Sequence, residues 1–322
     1  MAYNSAILRS AEDALVPEDV STEIIKAVPE TSMVMRLGRR LPPMSRNQRR
    51  LPVLSALVHA YFVNGDTGMK QTSRAQWTNK YINAEEIAVV VPIPEAYLDD
   101  SAYDIWSEVR PLVVEAFAAK FDAAVMFGAE APSDWPTNLL SGAITAGNTT
   151  TVGAIGDLYD DIMGTGGLLS EVEADGYSVT GHAAAMTMKS RLRGMRSSVY
   201  NGTTMAERGM PLFVSRVQDR TVYELDGEAV EFARGDWFDA ASALMFSGDW
   251  NQLVYSIRQD ITYKILTEAV IQDAAGNIVF NLAQQDMVAL RAVMRLGWQL
   301  PNPVNRLAPT EATRYPFAAL LP

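Results

Sequence analysis

The fold of this chain is decided by the stretch Ala56-Leu57-Val58-His59-Ala60-Tyr61-Phe62-Val63 and by the turn that follows it, Asn64-Gly65-Asp66-Thr67-Gly68. The first run is rich in β-branched and aromatic residues, which favour a strand. The second run is rich in glycine and turn-forming residues, so the backbone reverses there without a Cβ clash. A returning arm alternates at Ala75, Trp77 and Tyr81 and continues as an apolar run over residues 87–92. The pattern predicts a long hairpin with a polar tip.

A long helix is predicted directly after the hairpin. From Ser101 the apolar spacing changes from two residues to about 3.6, and Asp99-Asp100-Ser101 supplies capping oxygens. Gly128 ends the pattern, so a continuous helix over residues 101–128 would be roughly 40 Å long. Pro111 lacks the N–H that a helix interior needs, and it predicts a kink or the start of a second helix. Apolar residues on two faces indicate a helix held between other elements.

The predicted hairpin has no core of its own, and a hairpin of that size is marginally stable alone. We therefore expect it to rest on another copy of the same chain. Trp77 and Tyr81 on the returning arm would need apolar cover, and Lys70, Arg74 and Lys80 would pair with acidic residues of that copy.

Composition restricts the class of protein. With 322 residues, 48% of them hydrophobic, the chain can bury a substantial core and is expected to form more than one lobe. The net charge of −11 argues against a nucleic-acid binder, because phosphate contacts need a basic footprint. The absence of Cys excludes disulfides, thiolate metal sites and cysteine catalysis. The start of the chain lacks a signal-peptide pattern, and charges interrupt the most apolar run, so we expect a soluble intracellular protein with no membrane contact.

A basic run stands out in this acidic chain, and it surrounds Pro42-Pro43, which favours extended backbone. Its members are Arg36, Arg39, Arg40, Arg46, Arg49 and Arg50. One interpretation is a solvated loop. The other is an arm that lies across an acidic neighbouring subunit or across packaged nucleic acid.

The rest of the chain has an α+β pattern. Helices are predicted over residues 152–169 and 183–195, with a strand near residues 177–180. Two long late strands, over residues 253–269 and within 278–300, flank a turn at Ala275-Gly276-Asn277. We expect this antiparallel pair to pack on the long helix.

No catalytic, cofactor-binding or metal-binding constellation is recognisable, so we expect no enzyme and no cofactor. Gly164-Thr165-Gly166-Gly167 lacks the lysine and the spacing of a nucleotide loop. His59 and His182 share no ligand spacing, and each is interpreted as a surface or core residue. The aspartates at positions 157, 160 and 161 could gather a cation, but a solvated acidic first turn of a helix is the favoured interpretation.

The order and spacing of these elements resemble a known family. The most specific stretches are residues 62–73 as the tip of an extended loop, Asp100-Ser101 before a long helix that ends with residues 121–128, Gly248-Asp249-Trp250, and residues 286–295 on a late strand. Together they resemble the major capsid proteins of tailed double-stranded DNA bacteriophages. That family has the Hong Kong 97-type (Johnson) fold, which encapsulins and herpesvirus shells share.

The resemblance implies an α+β fold in four parts. They are an N-terminal arm (1–53), an extended loop (54–93), a peripheral domain with the long spine helix (94–131 and 256–300) and an axial domain (132–255 and 301–322). Hexamers and pentamers would build an icosahedral shell around double-stranded DNA, without sequence-specific binding. A portal and a separate scaffolding protein would be partners, with a decoration protein as a further candidate, and the chain would belong to the virion after assembly in the host bacterial cytoplasm.

Two sets of residues follow as expectations. The candidates for inter-subunit contact are Arg36, Arg39, Arg40, Arg49, Arg50, Lys70, Arg74, Trp77 and Lys80. Some relatives join subunits by an isopeptide bond between a loop lysine and an asparagine, with a glutamate that accepts the proton. The matching positions here are Lys70, Asp286 and Val293, and valine cannot accept a proton, so we expect no cross-link.

Two other functions compete with a phage shell. An encapsulin-like nanocompartment would have the same fold, but encapsulins typically carry an N-terminal helix in place of the proline-broken arm. A soluble α+β enzyme would need the catalytic constellation that the sequence lacks.

Overall fold

The computed structural model describes residues 31–63, 68–100, 104–194, 199–200, 203–204, 213–218, 220–273 and 275–322. The helices are α1 (Met33–Leu37), α2 (Glu95–Asp100), α3 (Ile105–Phe127), α4 (Leu139–Ala146), α5 (Leu158–Met163), α6 (Leu168–Ala174) and α7 (Met188–Gly194), with a 3-10 turn at Trp250–Gln252. The first strands are β1 (Arg39–Arg40), β2 (Gln48–Ala56), β3 (Gln76–Asn83), β4 (Glu85–Pro94), β5 (Thr149–Thr151), β6 (Gly181–Ala185), β7 (Val199–Tyr200) and β8 (Thr203–Thr204). The others are β9 (Phe213–Gln218), β10 (Arg220–Leu225), β11 (Glu228–Ala233), β12 (Met245–Gly248), β13 (Val254–Leu266), β14 (Val270–Gln272), β15 (Ile278–Asn281), β16 (Met287–Gln299) and β17 (Phe317–Leu321). The first thirty residues of the predicted arm, positions 64–67 of the hairpin tip and Ser101 lie outside the described residues.

A first sheet has the strand order β1-β13-β16-β4. β13 and β16 pair antiparallel, from Val254 opposite Gln299 to Leu266 opposite Ala289, which confirms the predicted late pair. The turn predicted at residues 275–277 does not join them directly, because it belongs to the small hairpin of β14 and β15 that lies between them.

A second sheet has the order β5-β17-β12-β6-β11-β10-β9. Successive side chains along each strand point to opposite faces of this sheet. On one face Ala184, Met245 and Leu320 pack with residues of α5, α6 and α7. On the other face Phe246 and Phe317 join the cluster that contains α3.

α3 packs against both sheets. The ring of Phe121 lies 5.9 Å from that of Trp135 and 6.5 Å from that of Tyr255 beside the first sheet. Nearer the end of the helix, the ring of Phe127 lies 5.6 Å from that of Phe246 in the second sheet. One continuous buried cluster therefore joins the helix to both sheets, which confirms a helix held between other elements.

The ends of α3 differ partly from the prediction. Gly128 ends the helix as predicted, in the left-handed conformation at φ 74°. The cap, however, is Asp104, whose side chain accepts hydrogen bonds from the backbone N–H groups of Trp106 and Ser107. Residues 95–100 form the separate helix α2, so the cap predicted at residues 99–101 was placed too early. No second helix begins at Pro111, because one missing N–H costs less than the burial of the downstream face gains.

The hairpin is shifted towards the arm relative to the prediction. β2 and β3 pair antiparallel from Gln48 opposite Asn83 to Ala56 opposite Gln76. Residues 57–63 are not a strand, although their composition favours one, because strand preference depends on a partner and the returning residues 68–75 are not paired with them. The predicted returning arm also divides at Ala84: β3 belongs to the hairpin and β4 to the first sheet.

Two helices predicted in the middle of the chain are present only in part, as α5 within residues 152–169 and α7 within residues 183–195. The helix predicted over residues 152–169 is broken after Met163, where Gly164 N–H donates to the Asp160 carbonyl and Gly166 has φ 80°. The helix predicted from residue 183 begins instead at Met188, and residues 181–185 are the central strand β6. Pairing and complete burial in the sheet outweigh the helix preference of its alanines.

Candidate inter-subunit contact surfaces

The base of the hairpin is held by its own chain. Lys80 Nζ lies 2.7 Å from Glu311 Oε1, and the backbone N–H of Val304 donates to the Leu54 carbonyl at 3.0 Å. Arg306 donates to the carbonyl of Val58 at 3.0 Å. The hairpin therefore rests partly on residues 304–311 of the same subunit, and the expected support from another copy stays a prediction.

Along its length the hairpin presents large apolar side chains to solvent. The apolar loop set, as we name it, consists of Val58, Tyr61, Phe62, Val63, Met69, Trp77 and Tyr81. Phe62 is fully exposed, Met69 is 91% exposed and Trp77 is 67% exposed. Contiguous exposed apolar side chains of this kind mark interaction sites on soluble proteins, and aromatic residues dominate the binding energy of interfaces.

The cations of the loop accompany this set. Lys70 is exposed beside Met69. The Arg74 guanidinium lies 2.6 Å from the oxygen of the Gln76 amide when that amide is oriented to accept. The loop therefore presents positive charge together with apolar surface.

The basic run is extended from Arg39 onward, as predicted, but Arg36 lies in helix α1, and the described part is not a solvated loop. β1 pairs parallel with β13, and the backbone N–H groups of Arg39, Leu41 and Met44 donate to carbonyls of that strand and the residue before it. The side chains of Arg39 and Arg40 remain exposed.

Two arginines of the arm have partners within the subunit. Arg36 forms a salt bridge of 2.9 Å with Glu231 on β11. Arg49 donates to the carbonyls of Pro42 at 2.6 Å and Pro43 at 3.2 Å, so it folds the arm onto itself. Arg50 is exposed on the hairpin strand β2.

The arm is anchored by Asp122, a residue that the sequence pattern did not single out. Its carboxylate, 1% exposed, accepts from Ser32 Oγ at 2.5 Å, Met33 N at 2.7 Å and Val34 N at 3.3 Å. These N–H groups form the start of α1 and have no partner within the helix, so the carboxylate satisfies them. The partners lie about ninety positions apart in sequence, and no local pattern joins them.

The three positions that correspond to the cross-link of some relatives differ in their exposure to solvent. Lys70 is exposed on the loop, and Asp286 is exposed just before β16 at φ 48°. Val293 is 8% exposed inside the first sheet. A buried aliphatic side chain there offers no proton acceptor.

The polar residues considered for chemistry have structural partners. His182 is buried, with Nδ1 at 2.8 Å from Ser247 Oγ and Nε2 at 3.2 Å from the Leu225 carbonyl. Burial lowers the pKa of His182 to about 4, against a smaller opposing effect of the Leu225 carbonyl. The solvated interpretation was wrong for Asp161, which is fully buried and accepts from the backbone N–H groups of Gly153 and Ile155.

Neither a metal cluster nor a membrane helix was found where the chain is described. Across the described ranges, no group of three or more His, Asp or Glu side chains is placed to hold a metal ion. Within the same residues, no helix combines the length and apolar composition needed to cross a bilayer.

A groove that the sequence did not predict lies between α3 and β4. Its volume is about 390 Å³, and Ile87, Phe117 and Trp135 contribute to its lining. An ion pair between Lys120 and Glu130 stands at its edge. This groove is a concave surface beside the start of β4.

Comparison with known proteins gives consistent matches. The model of the phage capsid family matches residues 12–307 of this chain. The major capsid protein of Staphylococcus phage 80alpha is 27% identical over 311 residues, which covers 93% of this chain and 86% of that protein. A solved structure from Microbacterium phage Oxtober96 is 36% identical, with a TM-score of 0.81 and coverage of 99% of this chain and 100% of that chain. Another, from Mycobacterium phage Cain, is 26% identical, with a TM-score of 0.80 and coverage of 99% of both chains.

Proposed function

The chain belongs to the phage capsid family, and from that premise we propose that it is the structural subunit of a phage head. Many copies, arranged as hexamers and pentamers, close into an icosahedral shell around double-stranded DNA. The encapsulin-like alternative is not favoured, because the matching family and the relatives above are phage capsid proteins. The role is structural, without catalysis or a cofactor.

The observation that carries this proposal is the exposed apolar loop set. Full burial of one large apolar side chain contributes about 1.5–3 kcal/mol, so Phe62, Met69 and Trp77 together offer roughly 5–9 kcal/mol before the costs of association. A projecting loop that docks on a different surface of the next copy makes a heterologous contact. Such contacts close into rings and shells.

The contact residues divide into two groups. Arg39, Arg40, Arg50, Lys70, Arg74 and Trp77 are exposed and are our candidates for direct contact with another subunit. Arg36, Arg49 and Lys80 have partners within the subunit, so we assign them to holding the arm and the hairpin in position. Packaged DNA, the other partner considered for the arm, is disfavoured by the overall negative charge.

We propose the four parts implied by the resemblance, with one change. The strands β13 and β16 of the first sheet support a peripheral domain over 94–131 and 256–300, and the second sheet supports an axial domain over 132–255 and 301–322. The extended loop is better taken as residues 48–84 than as 54–93, since β2 begins at Gln48 and β4 pairs with the first sheet. The arm then ends at residue 47, and residues 85–93 join the peripheral domain.

Shell strength would be non-covalent. Lys70 has no matching acceptor pair, because Asp286 replaces the asparagine and Val293 replaces the glutamate. We propose as partners a portal and a separate scaffolding protein, with a decoration protein as a further candidate. Assembly would take place in the bacterial cytoplasm. Their docking surfaces are not assigned to particular residues.

Electron microscopy of the purified protein tests the proposal. We expect closed shells, from expression alone or with a scaffolding protein of the same phage, and DNA inside particles from infected cells. A chain that stays monomeric under both conditions would overturn it. Shells that enclose protein cargo in place of DNA would favour the encapsulin-like function.

A further inference from the structure

Charge is divided unevenly along the residues that build the second sheet and its helices. Residues 121–188 carry nine acidic side chains and neither Lys nor Arg. Residues 189–220 carry seven Lys and Arg and only two acidic residues. One lobe of a chain with net charge −11 therefore contains a strongly acidic part followed by a basic part.

The fold places these charges on one face of the second sheet, over opposite halves. α6 packs against β5, β17 and β12, and α7 packs against β6. Lys189 of α7 reaches further, to 4.1 Å from the centre of the Tyr223 ring on β10. β17 and β10 are four strand spacings apart in the sheet order, which corresponds to about 19 Å.

The acidic helices therefore cover the β5, β17 and β12 side of this face, and the basic helix covers the side that runs from β6 towards β10. The acidic end, as we name it, consists of Asp157, Asp160, Glu171, Glu173 and Asp175. The basic end consists of Lys189, Arg191 and Arg193. The strands β17 and β10, which lie under the outer parts of the two ends, are about 19 Å apart, roughly twice the distance over which exposed charges interact at ordinary salt.

Exposed members of both ends are available for contact. Glu173, Arg191 and Arg193 are exposed. Glu171 is half-buried, and burial together with the nearby Asp175 raises the pKa of its carboxyl. Negative charge therefore accumulates at the acidic end of the isolated subunit.

We propose that the acidic end of each subunit docks against the basic end of the next copy around the hexamer and pentamer axes. The inference rests on the ring arrangement of the proposed function. The two ends are different surfaces of one lobe, so their pairing is heterologous and generates a ring. Opposite charges also steer the copies into one register and disfavour contact between like ends.

Charge exchange tests the proposal on the full chain. The variants are R191E/R193E, E171K/E173K and the combination of all four changes, with R191K/R193K as a matched control that keeps the charge. We expect each reversed pair to lower shell yield by about tenfold, which corresponds to about 1.4 kcal/mol. The combined variant should recover most of the yield, and the control should match the unmodified chain.

Thermal unfolding of each unassembled subunit separates folding from assembly. Should a reversed subunit fail to fold, R191Q/R193Q and E171Q/E173Q replace the reversals, with a smaller loss of yield expected. Normal shell yield from folded single reversals overturns the inference, and so does a combined variant that folds but does not recover. Normal shells with reduced DNA content in R191E/R193E would assign the basic end to nucleic acid and also overturn it. The absence of shells from the unmodified chain would instead refute the proposed function.

Discussion

Replacing Asp122 by alanine tests the anchor that joins the arm to the long helix. The change removes both acceptor oxygens from Ser32 Oγ, Met33 N and Val34 N, and it leaves these groups buried. A buried hydrogen-bonding group left without its partner costs about 1–3 kcal/mol. The costs of the three groups do not add fully, because all three bind the same carboxylate and can shift together when it is removed. We therefore expect the free energy of unfolding to fall by about 3–5 kcal/mol, the range found when one partner of a buried charged interaction is removed.

Urea denaturation of the unassembled subunit measures this loss through the transition midpoint. Hydrogen exchange at the amides of Met33 and Val34 reports release of the arm directly. Asp122→Asn keeps an acceptor oxygen and should lose about 1–2 kcal/mol. Asp134→Ala is the matched control, because that aspartate is exposed. Equal midpoints and equal exchange for Asp122→Ala and Asp134→Ala would refute the anchor.

Four further predictions follow from the hairpin, the arm, the buried histidine and the cross-link positions. Deleting residues 64–73 should leave a folded subunit that assembles poorly, and normal shells at normal yield would show that the loop is not an assembly element. Changing Arg39, Arg40, Arg49 and Arg50 to alanine should weaken the shells at low salt and make their stability less dependent on salt, because the variant lacks ion pairs that salt screens within about 8–10 Å. The single change Arg49→Ala should lower subunit stability as well, since Arg49 holds the arm turn, and equal shell stability of the two proteins across a salt series would count against the arm. Between pH 6.5 and about 4, His182 is protonated in the unfolded chain but not in the native state. Lowering the pH over this range should therefore reduce the free energy of unfolding by about 3 kcal/mol relative to that of His182→Gln. Urea midpoints of the two proteins that decrease in parallel as the pH falls would contradict this. Mature particles boiled in denaturant should give one gel band near 35.3 kDa, and a ladder of multiples would demonstrate cross-links.

The parts predicted correctly from sequence have patterns that are local and long. α3 shows its apolar spacing over several turns and ends at a glycine in the left-handed conformation. The strands β13 and β16 each span 13 residues, long enough for alternation to be recognised. Burial by neighbouring elements reinforces both signals.

The errors occurred where tertiary contacts outweigh local preference. Residues 57–63 have strand composition but are not paired with a second strand across the loop, whereas the alanines of β6 have helix preference but lie in the middle of a sheet. Composition alone does not reveal either environment.

The candidate surfaces were predicted in part. Exposed arginines and aromatic residues are recognisable by type, so Arg39, Lys70 and Trp77 could be named from the sequence. Their sorting into direct contacts and internal supports depended on partners distant in sequence, such as Glu231 for Arg36 and Glu311 for Lys80. Asp122 was overlooked because its only local signal is a charge within an apolar run.

The position of β17 affects the timing of folding during synthesis. This strand lies between β5 and β12, both of which leave the ribosome well before it. Until residues 317–321 arrive, the sheet has an open slot that exposes the apolar faces of Phe246 and Met245, and β5 has no strand beside it. A nascent subunit therefore cannot complete this lobe before residues 317–321 have been synthesised.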